Sequence, residues 1–554
     1  MTVQEEWALS EAQRRETVER MAKNISAMAF FRGAPIPDDV VAATAAAVEK
    51  KAYTVARVEA RTTTGVRPHH ETLKAYIRKL SALALEVVQN GGALEAAGGA
   101  KAQGEELDLT GAREFVTKES AEELLAPLLA PGAKFTKIRF STKSFGVDAA
   151  EVAARAIENI AGSLVEADMS DIIAGRPEDE ALAALRIISA ALGKARLRHL
   201  NLSDNALGEK GIRACAAAFS EQPALESIAF QNVGCSVHGC AAVDELMRNT
   251  GSLRRLHLYN NMSGDEGATS IARLLSRCPA MEDFKMVSSR VGAEGGIALA
   301  KGLAAAAGLV RLDIHDNPIT AEFADDLAAV LARQGKLKAL ILNDTSLGDD
   351  GVAAVCQALT QPGAAPQLEE LELALNEVTP EGAAAVAACV AAKPALRRLN
   401  LRENELEDEG AVTIAKALVS LTALETLDAC GNQLKRGGAC ALAKACARKP
   451  GLQLLALDEN ELSDSGIEAL KDIMRRIGKA PYPFHSLDQV LQSIPCCQCP
   501  QDIMRRIGKA AALGPLDDNM EPDEEDDEGA EDDGIEIEDA AGDDLAAAMG
   551  AAHL

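Results

Sequence analysis

Apolar residues recur along the middle of the chain in the form L-x-x-L-x-L-x-x-N-x-L. The clearest copy is LRHLNLSDNAL, which begins at Leu197. We index each copy by its asparagine place, the index position, and successive index positions lie 28 residues apart, with one interval of 31. The index positions are Asn205, Val233, Asn261, Ser289, Asn317, Thr345, Asn376, Asn404, Asn432 and Asn460. A constant period of this length indicates an array of equivalent structural units.

Weaker copies of the frame precede the clear ones. FTKIRFSTKSF has its index position at Lys143, and LVEADMSDI has its index position at Ile172. A degenerate start lies at Leu107–Leu109. We therefore expect the repeat array to occupy residues 105–480.

The pattern predicts one strand and one helix in each repeat. The L-x-L segment alternates as a short strand does, and Ala- and Leu-rich segments such as Gly382–Val390 suit a helix. Stacked units of this kind form a solenoid. The predicted fold is α/β, a leucine-rich repeat horseshoe of the ribonuclease-inhibitor type with a parallel inner sheet. The index asparagines are expected to bond backbone groups of neighbouring coils.

Residues 1–95 do not show the repeat. They are expected to form a small all-α domain with helices over Ser10–Phe30, Asp38–Ala60 and Pro68–Asn90. A Gly/Ala-rich linker is predicted over 91–104. Docking or targeting is one role for this domain, and an N-terminal cap for the solenoid is the alternative.

The C-terminal region contains two further features. DIMRRIGKA occurs at Asp472–Ala480 and again at Asp502–Ala510. We interpret 481–510 as an insertion without a site, and the alternative is a metal loop built on its cysteines and His485. Between Asp517 and Asp544 there are 17 Asp and Glu residues. The tail, 511–554, is therefore predicted to be disordered, with an electrostatic arm for a basic partner as the alternative.

Composition and charge exclude several classes of function. The net charge of -27 argues against nucleic acid as a partner. Direct membrane insertion is not expected, because no apolar run of about 18 residues occurs. The scattered cysteines, 12 in number, are typical of reduced thiols in a cytosolic protein. Cys235-x-x-His238-x-Cys240 is half of a metal motif at most, so no metal site is predicted.

Four segments carry a resemblance to a known family. LNLSDNALGEKG (Leu200–Gly211), LHLYNNMSGDEGA (Leu256–Ala268) and the acidic tail resemble the Ran GTPase-activating proteins. EEWALSEAQRRETVERMAKNIS resembles the WPP domain of the plant-type members. The Trp-Pro-Pro targeting signature is altered here to Trp7, Ala8 and Leu9.

The resemblance implies a function. Such proteins stimulate GTP hydrolysis by Ran and so support nucleocytoplasmic transport. They position Ran's own catalytic glutamine without an arginine finger. The protein would therefore not itself be the hydrolase, and it would need no cofactor of its own, since GTP and magnesium belong to Ran. By resemblance, the catalytic residues are Asn232 and Arg176.

The resemblance also implies partners and a location. The implied contacts to Ran-GTP are made by Asp204, Asn205, Tyr259 and Asn260. A Ran-binding protein and, through the N-terminal domain, nuclear-envelope anchor proteins are further expected partners. The expected location is the cytoplasm, at the outer face of the nuclear envelope. The alternative function is that of a non-catalytic leucine-rich repeat scaffold or inhibitor.

The repeat frame separates the candidate residues by role. Asn205 occupies an index position, so a structural role is its alternative to partner binding. Asn232 lies one place before the index position Val233, and its amide is therefore expected to be free of ladder bonds at the strand-to-helix edge. For Arg176, the alternative is a surface salt bridge to Glu178 or Asp179.

Overall fold

A computed structural model describes residues 9–31, 37–59, 61–62, 65–66, helical residues between 72 and 87, 101–103, 105–447 and 449–476. These residues fall into two compact units, one within 1–99 and the other beginning at residue 100. The predictions for Trp7 and Ala8, for the insertion 481–510 and for the tail 511–554 lie outside the described residues.

The N-terminal unit contains the three predicted helices. The first two are α1 (Glu11–Phe31) and α2 (Asp38–Glu59), and α3 includes helical residues between 72 and 87. A two-stranded hairpin, β1 (Arg61–Thr62) and β2 (Gly65–Val66), lies between α2 and α3. The helices share an apolar core of their own, against which Leu9 packs.

A polar cluster lies beside this core. Glu49 accepts two hydrogen bonds from the Arg14 guanidinium, at 2.8 and 2.6 Å, and one from the Tyr76 hydroxyl at 3.0 Å. The Arg14 guanidinium also lies 4.0 Å from the centre of the Tyr53 ring. Because the Glu49 side chain is buried, these donors offset the cost of burying its charge.

The second unit is a solenoid built on one sheet of 14 strands. All neighbouring strands are parallel except β3 and β4, which are antiparallel. The strands of the sheet are β3 (Lys101–Gln103), β4 (Glu106–Asp108), β6 (Lys137–Arg139), β8 (Glu166–Asp168), β9 (His199–Asn201), β10 (Ser227–Gln231), β11 (Arg255–Tyr259), β12 (Asp283–Val287), β13 (Arg311–Asp313), β14 (Ala339–Ile341), β15 (Glu370–Glu372), β16 (Arg398–Asn400), β17 (Thr426–Asp428) and β18 (Leu454–Ala456). A separate parallel pair is formed by β5 (Glu114–Val116) and β7 (Lys143–Phe145).

Each clear repeat also contributes helical structure on the other side of the core. The helices are α4 (Lys118–Leu124), α5 (Ala126–Leu129), α6 (Val147–Ile160), α7 (Glu178–Leu192), α8 (Gly208–Ala214), α9 (Val237–Leu246), α10 (Gly264–Leu275), α11 (Ala293–Leu303), α12 (Ala324–Leu331), α13 (Gly348–Thr360), α14 (Pro380–Ala391), α15 (Glu407–Leu418), α16 (Arg436–Ala447) and α17 (Asp464–Arg476). The predicted leucine-rich repeat fold is confirmed, including the weak early copies.

One predicted boundary is wrong. Lys101–Gln103 was expected to belong to the linker 91–104, but it pairs with Glu106–Asp108 as the first strand of the sheet. A short antiparallel hairpin satisfies backbone groups at the edge of a parallel sheet, where an unpaired strand would expose them.

The index asparagines form a buried ladder between coils. Asn317 donates to the carbonyls of Met286 and Ile314, both at 2.9 Å. Its Oδ1 accepts from the amides of Ser289 and Val291, both at 3.1 Å. One carboxamide thus satisfies backbone groups of its own coil and of the coil before it. This predicted role of the index asparagines is confirmed.

A second ladder, which the frame did not predict, joins the coils at the ends of their helices. Gln222 accepts from the Leu197 amide at 3.0 Å, and Gln334 accepts from the Leu309 amide at 3.1 Å. Lys393 donates through Nζ to the carbonyls of Leu359 and Ala364, both at 2.6 Å. Gln222 and Gln334 also donate to the carbonyls of Leu192 and Ala306, at 3.3 and 2.7 Å. These long side chains therefore bond carbonyls at or just after helix ends, where the helix offers no donor.

The cysteines of the described part of the chain lie in the core. Nine are present there, all buried and without disulfide bonds. Burial raises the pKa of the Cys215 thiol to about 12. No helix within the described ranges is long and apolar enough to cross a membrane.

Candidate functional site

The residue just before each clear index position has a left-handed backbone, with φ between 47° and 62°. These residues follow the strands, one to a coil, and we call them the edge row. The edge row consists of Asp204, Asn232, Asn260, Ser288, Asp316, Asp344, Leu375, Glu403, Gly431 and Glu459. Asn and Asp tolerate this conformation better than other residues with side chains. The backbone therefore explains why these types are frequent in the edge row.

The backbone of the edge row is tied to the following coil. The amides of Asp204, Asn232 and Asn260 donate to carbonyls of the next coil, at 2.8, 2.6 and 3.1 Å respectively. The side chains of all three residues are exposed. They therefore project from adjacent coils at the same edge of the sheet.

The Asn232 amide has two side-chain partners within the edge row. Its Nδ2 donates to Asp204 Oδ1 at 3.1 Å, and its Oδ1 accepts from Asn260 Nδ2 at 3.1 Å. Its predicted place at the strand-to-helix edge, outside the buried ladder, is confirmed. The Asn232 amide makes no bond in the buried ladder, and belongs instead to a row of exposed side-chain bonds.

Asn205 is not available to a partner. Its side chain is 2% exposed, and Nδ2 donates to the carbonyls of Met169 and Leu202 at 2.8 and 2.9 Å. Its Oδ1 accepts from the Ile172 amide at 2.9 Å. Partner binding by Asn205 is therefore a wrong prediction, and its structural alternative is confirmed.

Two exposed apolar side chains adjoin this part of the edge row. Tyr259, the last residue of β11, is 37% exposed, as its predicted contact with a partner requires. Met262 is 59% exposed and was missed by the sequence reasoning. A signal was present, because Met262 is the one large apolar residue directly after an index position in the ten clear repeats.

Arg176 lies in the predicted loop between β8 and α7, but its guanidinium is directed inward. Its side chain is 15% exposed and donates to the Ser144 carbonyl at 2.7 Å and to Glu180 at 3.0 Å. A longer bond, 3.3 Å, reaches the Val116 carbonyl. The ion pair is thus with Glu180 and not with Glu178 or Asp179 as the surface alternative had it. Through its bonds to the Val116 and Ser144 carbonyls, Arg176 links its own coil to β5 and β7.

The loop around Arg176 is shaped to fit an aromatic ring. The guanidinium lies 4.8 Å from the centre of the Phe115 ring. Gly175 has φ of 75°, and a Cβ at this position would lie 2.8 Å from the ring. Glycine is therefore needed here both for its backbone conformation and for the space it leaves. Phe115 itself is 60% exposed.

Arg176→Lys is expected to lower the free energy of unfolding by about 1.5–3 kcal/mol, because lysine lacks the planar fork that reaches several acceptors. Denaturant unfolding of the parent and the variant measures this. A variant of parental stability that nevertheless loses the activity proposed below would show that the guanidinium contacts a partner directly.

Charged side chains pair across the sheet face. Asp313 accepts from His315 Nδ1 at 2.6 Å, and Lys285 Nζ lies 3.2 Å from its other oxygen. Arg311 approaches the same oxygen to 3.7 Å. Burial by itself would raise the pKa of Asp313, but these partners outweigh it and the pKa is lowered.

The lowered pKa of Asp313 predicts a contribution to acid unfolding. A carboxyl group with a lower pKa in the folded state stabilises the fold above its unfolded pKa of about 3.9, and loses this contribution as the pH falls through the folded pKa. Asp313→Asn should therefore be less stable at neutral pH and should lose less stability below about pH 3.9. Urea unfolding of both proteins across this range tests the expectation, and parallel curves would contradict it.

Cys235 and Cys240 lie together in the repeat that carries Asn232. Their sulfur atoms are 3.5 Å apart and buried. Within the described residues, no group of three or more His, Cys, Asp or Glu side chains is arranged to hold a metal ion. Cys496, Cys497 and Cys499 lie outside the described part of the chain.

Comparisons with known proteins agree with this organisation. Residues 5–98 match the WPP domain, and residues 196–214, 365–387 and 393–415 match a leucine-rich repeat model. RAN GTPase-activating protein 1 of Arabidopsis thaliana is 38% identical over 229 residues, which cover 40% of this chain and 42% of that protein. RAN GTPase-activating protein 2 of the same plant is 37% identical over 233 residues, with the same coverage.

The chain is similar to two plant Ran GTPase-activating proteins over about 230 residues. The resemblance seen in the sequence is thereby confirmed, both for the WPP domain and for the repeats. The chain spans 42% of the length of these relatives in the match. Among solved structures, an internalin from Listeria monocytogenes is 15% identical with a TM-score of 0.38, covering 66% of this chain and 84% of the internalin.

Proposed function

We propose that the protein is a GTPase activator that stimulates GTP hydrolysis by Ran. The observation that carries this proposal is the exposed amide of Asn232, held by its neighbours at the edge of the solenoid in a chain related to the plant Ran GTPase-activating proteins. In this proposal the hydrolase is Ran, which brings the nucleotide and its magnesium. Nucleocytoplasmic transport is the process that such stimulation would support.

The proposed mechanism is one of positioning. A carboxamide both donates and accepts hydrogen bonds, so Asn232 suits a contact with the side-chain amide of Ran's catalytic glutamine. Holding that glutamine against the attacking water lowers the entropic cost of reaching the transition state. For scale, an arginine finger accelerates GTP hydrolysis by about 10³–10⁵-fold, or about 4–7 kcal/mol at the barrier.

The surface around Asn232 is suited to bury such a contact. Tyr259 and Met262 offer exposed apolar area beside Asn260, and interfaces are enriched in residues of these types. Closing this surface against Ran would exclude water from the amide, which strengthens its hydrogen bonds. In this proposal Tyr259 and Met262 bind the partner, while Arg176 supports the edge from within.

Single-turnover hydrolysis of Ran-bound GTP tests the proposed function. We expect added protein, at substoichiometric amounts, to accelerate phosphate release catalytically. A rate unchanged by the added protein would refute the proposal. Binding of Ran-GTP without acceleration would instead support the non-catalytic scaffold or inhibitor, the alternative class of function.

The N-terminal unit is the basis for the proposed anchor partners and the proposed location. Its match to the WPP domain supports attachment to anchor proteins at the outer face of the nuclear envelope, with the cytoplasm as the compartment. Binding of a Ran-binding protein is a further proposal on the same family ground. The altered signature at Trp7, Ala8 and Leu9 can be tested by restoring Trp-Pro-Pro and comparing the two proteins in cells by fluorescence.

A further inference from the structure

Two neighbours on adjacent coils constrain the amide of Asn232. Asp204 Oδ1 accepts from its Nδ2, and Asn260 Nδ2 donates to its Oδ1, each at 3.1 Å. An ionised aspartate is an acceptor alone, so the end of the amide that faces Asp204 has to be the NH₂ group. We propose that Asp204 and Asn260 are positioning residues, which fix the end of the Asn232 amide that meets its partner. This inference rests on the proposed function.

The backbone keeps this arrangement in register. Asp204, Asn232 and Asn260 have φ values of 58°, 52° and 51°. Strands β9, β10 and β11 precede them as parallel neighbours, so the three side chains leave successive coils at the spacing of the sheet, about 4.8 Å. Because their amides also bond the next coil, the row has little freedom to change its spacing.

The orientation of the amide has a chemical consequence. After its two bonds in the row, Asn232 retains one N–H and one acceptor site on Oδ1. A glutamine carboxamide offers the same two functions, and two amides pair well when donor faces acceptor. A reversed Asn232 amide would place donor against donor. Asp204 therefore sets the polarity of the contact, and its charge strengthens the bonds along the row.

A different role for Asp204 and Asn260 is direct contact with the partner. Loss of a binding contact raises KM and leaves kcat in place, whereas loss of positioning lowers kcat. The resemblance to the family implied direct contact with Ran for both residues. The two roles are thus separable by steady-state measurement of GTP hydrolysis by Ran at varied Ran-GTP concentration.

Reversing the polarity of the row is the decisive experiment. The double variant Asp204→Asn with Asn260→Asp preserves the net charge and the size of both side chains. It moves the carboxylate to the other side of Asn232, so that the NH₂ group has to turn toward position 260. Asparagine and aspartate both tolerate the left-handed backbone at these positions. We expect kcat to fall by about tenfold in the double variant, with KM and the melting temperature unchanged.

The single variants and a matched control complete the design. Asp204→Asn removes the constraint without imposing the reverse, so its kcat should lie between those of the parent and the double variant. Glu403→Gln is the control, since Glu403 has φ of 51° in the same edge row and its carboxylate accepts from the Arg402 guanidinium at 2.9 Å. It makes the same change of charge as Asp204→Asn, and we expect parental kcat and KM.

The outcomes are distinguishable. A parent that does not stimulate Ran refutes the proposed function itself. A stimulating parent with parental kcat in the double variant overturns the positioning role alone. Raised KM with parental kcat in Asp204→Asn would likewise overturn it in favour of direct binding. If the double variant melts lower, Asp204→Asn decides by itself: a kcat below the parental value with parental KM supports the positioning role, and parental kcat overturns it.

Discussion

Asn232→Ala is expected to lower the stimulation of GTP hydrolysis by at least about tenfold. The amide is the group proposed to contact Ran's glutamine, and alanine offers neither a donor nor an acceptor in its place. Loss of the amide itself should cost little stability, because the side chain is exposed and its bonds to Asp204 and Asn260 are on the surface. Single-turnover hydrolysis and a thermal melt measure the two properties on the same preparation.

A second substitution separates the amide from the backbone. Alanine at a left-handed position costs about 1–2 kcal/mol, and Asn232 has φ of 52°. Glycine adopts this conformation without strain, so Asn232→Gly removes the amide alone. Both variants should lose stimulation to the same extent. Parental activity of Asn232→Gly would refute the assignment, whatever the result with alanine.

Asn205→Ala is expected to act on stability instead. The change leaves the buried amide of Ile172 and the buried carbonyl of Met169 without their partner, at a cost of about 1–3 kcal/mol. Urea unfolding followed by circular dichroism should show the loss. If Asn205→Ala unfolds as the parent does, then water replaces the carboxamide and the ladder contributes less than its geometry suggests.

The same substitution in neighbouring coils thus separates two roles of one residue type. Asn205 and Asn232 are both asparagines at the strand-to-helix edge, one buried and one exposed. We expect activity to fall with little loss of stability at Asn232, and stability to fall at Asn205. Equal effects of both substitutions on both properties would contradict the division between the buried ladder and the edge row.

Much of the fold could be predicted from the sequence because its determinants are local and repeated. The L-x-L segments and the index asparagines recur at a fixed interval, so each copy supports the reading of the next. Even the degenerate start at Leu107–Leu109 was recognised and forms part of the sheet. The antiparallel strand Lys101–Gln103 was missed because its Ala- and Gly-rich surroundings are typical of a linker.

The candidate site was predicted less completely, because its contacts join distant parts of the chain. The frame placed Asn232 outside the buried ladder, but it could not show that Asp204 and Asn260 bond its amide from 28 residues away on either side. The partners of Arg176 at Ser144 and Val116 lie 32 and 60 residues earlier. The repeat period places such positions on neighbouring coils, but it does not show which of their side chains bond one another.

The buried ladder has a direction. The index asparagines other than Asn432 accept from amides of the coil before them: Asn205 accepts from Ile172, and Asn261 accepts from Val233 and Cys235. Substitution of an index asparagine should therefore destabilise the preceding coil, on its N-terminal side. The loop that carries Arg176 depends on Asn205, and the loop that carries Asn232 depends on Asn261. In this solenoid, the asparagine that holds a loop in place is therefore encoded one repeat after that loop.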